Sequence, residues 1–583
     1  MASTQPSDTP RQPEVDARYD AVVVGAGFAG LYMLHVLRGL GLSARAFEAG
    51  GDVGGTWYWN RYPGARCDVE SMQYSYSFSA ELDQEWTWTE KYAPQPEILA
   101  YANHVADRFD LRRDIAFDTG VSSATFDEAA KCWGIETDRG DRVAAQFLIM
   151  AVGCLSAANR PPFEGIDDFE GSIHHTGTWP HEGVDFSGLR VGVIGTGSSA
   201  IQSIPLIARQ AAALTVFQRT PNYAVPAWNA KLDAAYVREF KASYPALRAK
   251  ARMRPTGIYF KFNTAPALAA TPEERERQYE EFWARGGLPF LGAYGDLLFE
   301  PEANATIAEF ARRKIRAVVK DPAVADLLCP DNVLGCKRLC VDTGYFETFN
   351  LPHVKLVDIS KVPIERFTQA GIVAHGVEHQ FDAVVCATGF AAMTGSFDRV
   401  RITGRDSLTL RDKWRAGPRT YLGMTSVGFP NFFMIAGPGS PSVLANMIPA
   451  IEQHVDWIGD CIAHLRAIGA RTIEASVASE DAWVEHVNDV AKVSLRSTCS
   501  SWYVGANIPG RPRVFMPYIG GFPIYVNRCN DVMTKGYEGF LLDGVAGAAG
   551  APPRPRWTGR WRVPLDMDVI SPASIAAKRV PVV

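Results

Sequence analysis

Short apolar runs alternate with longer amphipathic stretches in the first part of the chain. Residues 21–24 and 44–47 are such runs, and an apolar stretch with helical spacing, residues 31–40, lies between them. Short continuous apolar runs are typical of strands that are buried on both faces of a parallel sheet. The order strand, helix, strand therefore predicts a βαβ unit near the N-terminus.

The same order occurs a second time further along the chain. Residues 189–194 and 214–217 are apolar runs on either side of a helix-like stretch, residues 201–208. Two more strand-like runs, residues 147–152 and 383–386, return to these two units. The pattern predicts an α/β fold with two nested Rossmann-like domains and a helical insertion.

Nesting makes both predicted domains discontinuous. The helical insertion contains the sequence Thr271-Pro272-Glu273-Glu274, a capping box with proline at the first helical position. The predicted segments are a disordered lead-in at residues 1–17, a first domain at 18–150 and 385–542, a second domain at 155–225 and 330–384, the helical insertion at 226–329 and a Pro/Ala-rich tail at 543–583. The tail is expected to be disordered or to wrap the surface.

The first βαβ unit carries a glycine loop of the form G-x-G-x-x-G directly after its first strand. Gly25 permits the tight turn, Gly27 lets the backbone approach a pyrophosphate, and Gly30 lets the helix pack on the strand. The second strand ends at Glu48, whose carboxylate would accept hydrogen bonds from a ribose diol. The pattern predicts a dinucleotide whose phosphates lie at the helix N-terminus.

The second unit carries the loop G-x-G-x-x-A, and a basic residue stands near its acidic position. The residues of this predicted site are Gly195, Thr196, Gly197, Ser198, Ser199, Arg219 and Thr220. A carboxylate would repel a 2′-phosphate, whereas the guanidinium of Arg219 can hold it with two hydrogen bonds. The sequence therefore predicts NADPH, not NADH, at the second site.

Composition narrows the class of protein. The 583 residues are 47% hydrophobic and 21% charged, with a formal net charge of −5, so no global basic field favours nucleic acid. No apolar run is long enough to span a bilayer, and the polar start has no signal-peptide core. The ten cysteines are scattered without a C-x-x-C pair, which predicts reduced, partly buried thiols in a cytoplasmic protein and no metal site. The sequence carries no signal for an oligomeric state.

Residues 169–180, FEGSIHHTGTWP, lie between the two glycine loops and read as a loop with aromatic anchors and a histidine. The motif residues are Phe169, Gly171, His175, Trp179 and Pro180. This F-x-G-x-x-x-H-x-x-x-W-P pattern resembles the fingerprint of Baeyer–Villiger monooxygenases, flavoproteins that insert one oxygen atom beside a ketone carbonyl. The resemblance covers about residues 18–542 and favours the phenylacetone and steroid monooxygenase branch.

The resemblance implies non-covalent FAD at the first site, NADPH at the second, and O2 with a small-molecule ketone as substrates. A glycine- and aromatic-rich irregular segment follows the first unit, and such segments in compact domains are usually functional. Implied FAD contacts, besides the first glycine loop and Glu48, are Gly55, Thr56, Trp57, Asp68, Tyr74 and Met447. Implied NADP contacts, besides the second loop, are Arg66, Lys337, Arg338 and Trp502.

The same resemblance implies the chemistry. Arg338 would stabilise a flavin peroxide anion and the adduct formed on the ketone, which then gives an ester or lactone, and Asp68 would orient Arg338. His175 is expected to couple domain movement to NADPH binding and not to transfer a proton. Two alternatives stay open: a flavin-containing monooxygenase that oxidises nitrogen or sulfur, and a non-catalytic FAD/NADPH redox sensor for which the tail is the only support.

Overall fold

The structure, a computed structural model, describes residues 15–546 and 555–561. The strands are β1 Ala17–Val24, β2 Ala44–Phe47, β3 Ile115–Ala116, β4 Val121–Asp127, β5 Cys132–Thr137, β6 Arg142–Met150, β7 Ser172–His175, β8 Arg190–Ile194, β9 Ala213–Gln218, β10 Ala224–Pro226, β11 Cys340–Asp342, β12 Val354–Asp358, β13 Arg366–Phe367, β14 Gly371–Ala374, β15 Val377–Gln380, β16 Ala383–Cys386, β17 Arg401–Thr403, β18 Phe432–Met434, β19 Ile473–Ala475, β20 Phe540–Leu542 and β21 Val545–Ala546. The α-helices are α1 Phe28–Gly39, α2 Thr56–Trp59, α3 Ala80–Glu85, α4 Gln95–Arg108, α5 Ser198–Ala208, α6 Ala234–Arg252, α7 Pro272–Arg285, α8 Pro301–Val318, α9 Pro322–Leu328, α10 Tyr345–Thr348, α11 Leu410–Lys413, α12 Met447–Ile468, α13 Val477–Lys492 and α14 Phe522–Thr534.

An eight-stranded sheet contains the first βαβ unit. Its order is β17-β4-β5-β6-β1-β2-β3, with β18 also paired to β6. β1 runs parallel to both β2 and β6, so Val24 lies opposite Phe47 on one side and Met150 on the other. The carboxyl ends of three strands therefore meet beside the first glycine loop. The predicted strand, helix, strand order is confirmed, and β1 begins earlier than predicted because its first residues are only half-buried.

A second sheet of five parallel strands contains the second βαβ unit. Its order is β12-β9-β8-β16-β7. The two sheets confirm the predicted α/β class. The prediction of a loop for the motif histidine was wrong, because β7 pairs with β16 and places His175 opposite Cys386. β7 is an edge strand of four half-buried or exposed residues, so it lacks the apolar run by which the other strands were recognised.

Four helices, α6 to α9, lie between β10 and β11 in the chain, within the stretch that forms the second sheet. The predicted capping box is confirmed: the Thr271 hydroxyl accepts a hydrogen bond from the Glu274 N–H, and the Glu274 carboxylate accepts one from the Thr271 N–H. Tyr279, Phe282 and Phe310 are buried in one hydrophobic cluster, so these aromatic residues form a core. Within residues 15–546 and 555–561, no helix has the length and apolar character needed to cross a membrane.

Of the predicted C-terminal tail, residues 543–546 and 555–561 are described, and in the second stretch Thr558 and Trp561 are buried while Arg556 is exposed. Residues 555–561 pack against α12, and Trp561 is fully buried. Glu452, Asp456 and Asp460, spaced four residues apart on α12, are each at most 2% exposed. Arg560 Nε donates to Asp456 at 2.6 Å, and the N–H groups of residues 556–558 donate to Asp460. The tail thus supplies a cation to Asp456 and hydrogen bonds to Asp460. The spacing of these carboxylates in the sequence did not reveal that the tail is their partner.

The expectation that all cysteines are reduced was also wrong. Cys336 and Cys499 form a disulfide with their Cα atoms 5.9 Å apart. The other eight cysteines are free. The two bonded residues are 163 positions apart, so their spacing in the sequence gave no indication of the pairing.

Replacing Arg560 with Met should destabilise the protein, because the Asp456 carboxylate would remain buried without its cation. Removing one partner of a buried ion pair costs about 3–5 kcal/mol. Arg556→Met is the matched control, since Arg556 is exposed and its guanidinium donates to the Gly39 carbonyl. Thermal and denaturant unfolding should give a lower midpoint for Arg560→Met alone. Equal midpoints for the two variants would show that the tail does not support the fold.

Candidate functional site

The first glycine loop lies where β1 ends and α1 begins. Gly25 has φ +102°, and a Cβ there would lie 2.7 Å from the Ala151 carbonyl oxygen. A Cβ on Gly30 would lie 1.9 Å from the Gly25 oxygen, so the helix can pack on the strand only without a side chain. α1 has no side-chain cap and no acidic residue in its first turn, so its N–H groups face the loop free of an internal acceptor. This geometry suits a pyrophosphate.

Glu48 stands at the end of β2 as predicted. Its two carboxylate oxygens accept hydrogen bonds from the Ala26 N–H at 2.7 Å and the Gly50 N–H at 2.8 Å. Burial raises the pKa of Glu48, and these two hydrogen bonds oppose that rise. A carboxylate has about four acceptor positions, so acceptor capacity for a ribose diol remains after the two contacts.

The irregular segment after β2 returns to the first glycine loop. A Cβ on Gly27 would lie 3.2 Å from the Gly55 Cα, so the two backbones approach as closely as glycines permit. Thr56 is exposed and Trp57 buried at the start of α2, and Trp57 Nε1 donates to the Tyr74 hydroxyl at 3.2 Å. The structure therefore brings Gly27, Gly55, Trp57 and Tyr74 together, as the predicted FAD set requires.

The next part of this segment, residues 61–68, rests on the helix of the second unit. The Tyr62 hydroxyl donates to Gln202 Oε1 on α5 at 2.8 Å, and Gln202 Nε2 donates to the Arg66 carbonyl at 3.2 Å. Arg66 Nη1 donates to Glu90 and to the Tyr92 carbonyl, while its buried Nε has no partner in the described residues. Gln202 was missed from the sequence, although a polar residue within an apolar helix is a usable signal.

Asp68, at the end of residues 61–68, forms a bidentate ion pair with Arg338. Arg338 Nε and Nη2 donate to the two oxygens of Asp68 at 2.6 and 2.8 Å, and Nη1 donates to the Val443 carbonyl at 2.7 Å. Burial favours a lower pKa for Arg338, but the charge and hydrogen bonds of Asp68 outweigh burial and raise it. The three contacts use three of the five N–H groups of the guanidinium, and two remain for a ligand.

The second glycine loop repeats the first at the start of α5. Gly195 has φ +114°, Gly197 caps the helix without a side-chain hydrogen bond, and Ser198 and Ser199 open its first turn. The Thr196 hydroxyl donates to the Thr220 carbonyl at 2.8 Å, which joins the loop to the residue after Arg219. All seven residues predicted from this βαβ unit therefore lie around one helix N-terminus.

Two cations lie close together beside this loop. Burial, followed by the positive charge of Arg219, lowers the pKa of Lys337. Arg219 is exposed, and neither cation is among the ion pairs of the described residues. Asp331 only partly offsets this repulsion between like charges, so an anion bound between the two cations would be stabilising.

Trp502 and Met447, the two late residues of the predicted set, pack on one hydrophobic cluster that includes Val443 and Tyr503. The Trp502 and Tyr503 rings are 4.2 Å apart. Arg496 was missed: its guanidinium lies 5.9 Å from the Tyr503 ring, its Nε has no partner in the described chain, and burial lowers its pKa. A single arginine in a polar stretch gives no signal in the sequence.

His175 contacts both connections between the two sheets. Its Nδ1 accepts a hydrogen bond from the Gly177 N–H at 2.9 Å, which places its proton on Nε2. Nε2 lies 3.2 Å from both the Asn159 carbonyl and the Thr388 hydroxyl. These residues belong to the two connecting stretches, which pair through Ala158 and Phe390. Burial lowers the pKa of His175, so the ring is neutral at neutral pH.

The remaining motif residues support this strand. Phe169 and Trp179 are buried, the latter beside His174 and Phe186, and Pro180 follows as the chain leaves the sheet. A Cβ on Gly171 would lie 2.4 Å from the Phe169 ring and 2.6 Å from the Asp382 oxygen. The motif therefore builds the edge of the second sheet.

Both glycine loops share two structural features that suit a bound dinucleotide. Each begins with a glycine at positive φ whose Cβ would collide with a carbonyl, and each ends in an uncapped helix N-terminus. The first has a carboxylate at the ribose position, and the second has two neighbouring cations, Arg219 and Lys337. The first therefore suits FAD and the second NADPH.

Comparison with known proteins identifies the family. Residues 22–251 match the family model of pyridine nucleotide-disulphide oxidoreductases. A "Baeyer-Villiger monooxygenase" of Pseudooceanicola batsensis is 44% identical over 536 residues, which are 91% of this chain and 98% of that protein. The chain belongs to the Baeyer–Villiger monooxygenases. A second relative, "Phenazine N-monooxygenase PhzNO1" of Lysobacter antibioticus, is 41% identical over 90% of this chain and 97% of its own length.

Solved structures extend this assignment to the cofactors. A steroid monooxygenase bound to NADP is 54% identical, with a TM-score of 0.86 over 91% of this chain and all of that one. A complex titled OTEMO with FAD and NADP is 38% identical, with a TM-score of 0.87 over 90% of this chain and 99% of the other. This Baeyer–Villiger monooxygenase accordingly uses FAD and NADPH, as the two glycine loops predict.

Replacing His175 with Gln tests whether the imidazole transfers a proton. A neutral ring with a lowered pKa does not titrate above about pH 6.5, so the variant and the original protein should show pH profiles of the same shape. Turnover should fall roughly three- to tenfold, because neutral hydrogen bonds contribute about 0.5–1.5 kcal/mol each.

The matched control is His174→Gln, since His174 bonds only to the Ser172 hydroxyl in the described structure. The rate of steady-state NADPH consumption is measured across pH for the original protein, His175→Gln and His174→Gln. An inflection near neutral pH that disappears only in His175→Gln would instead indicate general base catalysis.

Proposed function

We propose that this protein inserts one oxygen atom of O2 beside the carbonyl of a bulky ketone, giving an ester or lactone, and that Arg338 is its catalytic cation. The Arg338–Asp68 ion pair carries the proposal. It holds a charged guanidinium at the contact between residues 61–68 and the loop that contains Arg338, with two N–H groups that have no acceptor in the described residues. The relative that acts on steroids supports a bulky substrate, as does the apolar cluster around Tyr503.

The proposed binding sets follow the geometry. FAD would be held by Gly25, Gly27, Gly30, Glu48, Gly55, Thr56, Trp57, Asp68, Tyr74 and Met447, and NADPH by Arg66, Gly195, Thr196, Gly197, Ser198, Ser199, Arg219, Thr220, Lys337, Arg338 and Trp502. FAD that has been reduced by NADPH supplies the activated oxygen. The protein's part is to bind both cofactors, exclude water and stabilise negative charge.

Arg338 would stabilise the negative charge that develops on oxygen as the carbonyl is attacked. A guanidinium keeps its proton at neutral pH, and Asp68 raises the pKa of Arg338 further. Asp68 also fixes the orientation of the guanidinium, so little reorganisation is needed when the negative charge forms on oxygen. The Val443 carbonyl holds Nη1 from the other side, next to the cluster that contains Met447. The remaining N–H groups are the donors available for the developing oxyanion.

His175 would couple the two cofactor sites. Its neutral ring bridges the Asn159 carbonyl and the Thr388 hydroxyl, each on one connection between the sheets. A movement of one sheet relative to the other would change both contacts together. The observation supports a positioning role for the imidazole.

The mass of the product tests the function. Purified protein with FAD, NADPH and air is mixed with an aryl ketone, a cyclic ketone or a steroid ketone. A product one oxygen atom heavier, which hydrolyses to an alcohol and an acid, is the expected result. NADPH consumption with peroxide as the only product from all three ketones would contradict it.

Arg338→Ala should keep flavin reduction by NADPH within a few-fold but lower ester formation by about 10²–10³-fold, the cost of losing a positioned oxyanion donor. Arg338→Lys is the graded control, because it keeps the charge but cannot make the bidentate contact with Asp68. The rate of ester formation by Arg338→Lys should lie between that of the original protein and that of Arg338→Ala. Stopped-flow absorbance measures flavin reduction, and mass spectrometry measures the ester. Full ester formation by Arg338→Ala would remove Arg338 from the mechanism.

Arg219→Ala should weaken NADPH binding by about 1.5–3 kcal/mol, the contribution of a charged hydrogen bond, and leave NADH binding nearly unchanged. Arg209→Ala is the matched control, since Arg209 is equally exposed but caps the opposite end of α5. Calorimetric titration with both nucleotides measures the difference. An equal loss for NADPH and NADH would show that Arg219 does not contact the 2′-phosphate.

Oxidation of a nitrogen atom is the second candidate, because the relative from Lysobacter antibioticus is named for that reaction. A phenazine added to the same assay separates the two. An N-oxide formed faster than any ester would favour the second candidate. An ester formed faster would make heteroatom oxidation a side activity.

A further inference from the structure

The Cys336–Cys499 disulfide joins two segments that the proposed reaction uses. Cys336 directly precedes Lys337 and Arg338, and Cys499 lies three residues before Trp502. The bond therefore connects the loop with the catalytic cation to the segment that would cover the nicotinamide and substrate. Nothing in the fold requires these segments to be linked, since no regular strand or helix pairs them.

Trp502 packs on the hydrophobic cluster, and backbone hydrogen bonds join the second segment to the rest of the protein at two points. Leu495 N–H donates to the Leu298 carbonyl at 2.9 Å, and the Tyr503 carbonyl accepts from Met516 N–H at 2.9 Å. Between these two anchors, the hydrogen bonds of residues 496–502 stay inside residues 494–506 in the described chain. The buried Ser501 hydroxyl has no partner there. The disulfide is thus the tether of residues 496–502 to the Arg338 loop.

We propose that Cys336 and Cys499 are an oxidative modification site whose disulfide holds residues 496–502 over bound NADP+. The predicted effect of the disulfide on NADP+ binding rests on the proposed function. The two cysteines differ in access, because Cys336 is fully buried and Cys499 is half-buried. Oxidant therefore reaches Cys499 first, and Cys336 is the resolving partner.

The oxidant is hydrogen peroxide. The Cys499 thiolate attacks one peroxide oxygen, the O–O bond breaks, and water leaves after protonation, which gives a sulfenic acid on Cys499. The Cys336 sulfur then attacks the Cys499 sulfur, the S–O bond breaks, and a second water leaves. Two thiols lose two electrons and two protons in total, and one peroxide is reduced to two waters.

The dithiol form should release NADP+ faster, because residues 496–502 lose their tether. We expect a change on the order of tenfold in the dissociation rate, as for ordering or releasing a few side chains at a binding site. The Cys336–Cys499 disulfide lies outside both glycine loops, so its reduction should weaken NADP+ binding without abolishing it.

The test compares the full-length FAD-loaded protein after hydrogen peroxide, after a phosphine reductant, and as Cys499→Ser. Alkylation before digestion should identify a peptide that contains Cys336 linked to Cys499 only after peroxide. NADP+ release, followed by stopped-flow fluorescence, should be about tenfold faster in the reduced protein and in Cys499→Ser. Cys132→Ser is the matched control, because Cys132 is a free, half-buried cysteine on β5.

Cys132→Ser should form the linked peptide and respond to peroxide like the original protein. Absence of the linked peptide after peroxide would overturn the modification site. Equal NADP+ release from the oxidised and reduced forms would overturn the tether. Neither readout requires a ketone or an ester, so a failure of the proposed oxygenation leaves both results interpretable.

Discussion

The ion pair between Arg338 and Asp68 is the interaction on which the site depends. Asp68 ends the irregular segment that follows β2, and Arg338 lies two residues before Cys340, whose Sγ is 3.3 Å from the Ser198 hydroxyl at the second glycine loop. Neither residue is in a helix or strand, so backbone hydrogen bonding alone does not place them. Burial of a guanidinium is unfavourable without a carboxylate, and this requirement holds the two loops together. The electrostatic need of one side chain thus defines where the two cofactor sites meet.

A second buried arginine shows what distinguishes a site from a structural pair. Arg560 donates to Asp456, Tyr32 and Ser77, so its donors are spread over groups of the protein itself. Arg338 donates to one carboxylate and one carbonyl and keeps N–H groups free. Each arginine makes three side-chain hydrogen bonds, but Arg560 lies beside two carboxylates, Asp456 and Glu452, whereas Asp68 is the one carboxylate paired with Arg338 in the described residues. The positive charge of Arg560 is therefore balanced within α12, whereas Arg338 shares one carboxylate and can accommodate a further anion.

The sequence predicted the features that are encoded within about thirty residues, the length of a βαβ unit. The two glycine loops, Glu48, Arg219 and the Thr271 capping box are local patterns, and each is present where the chain predicted it. Strand β7, the disulfide and the buried tail depend on partners more than 100 residues away. Arg338 and Asp68 were identified only by resemblance to a family, because their separation of 270 residues hides the pair.

The connections between the two sheets show why the site can be both held and movable. Residues 55–68 rest on the first glycine loop at Gly27 and on α5 at Gln202, so they span both units. The two crossing stretches pair with each other through Ala158 and Phe390, and His175 bonds to both. A relative rotation of the sheets must therefore be absorbed in these three stretches, none of which belongs to a sheet core. Because Asp68 lies at the end of one of them, such a rotation would act directly on the orientation of Arg338. The orientation of Arg338 and the relative orientation of the two sheets are in this way linked through residues 55–68.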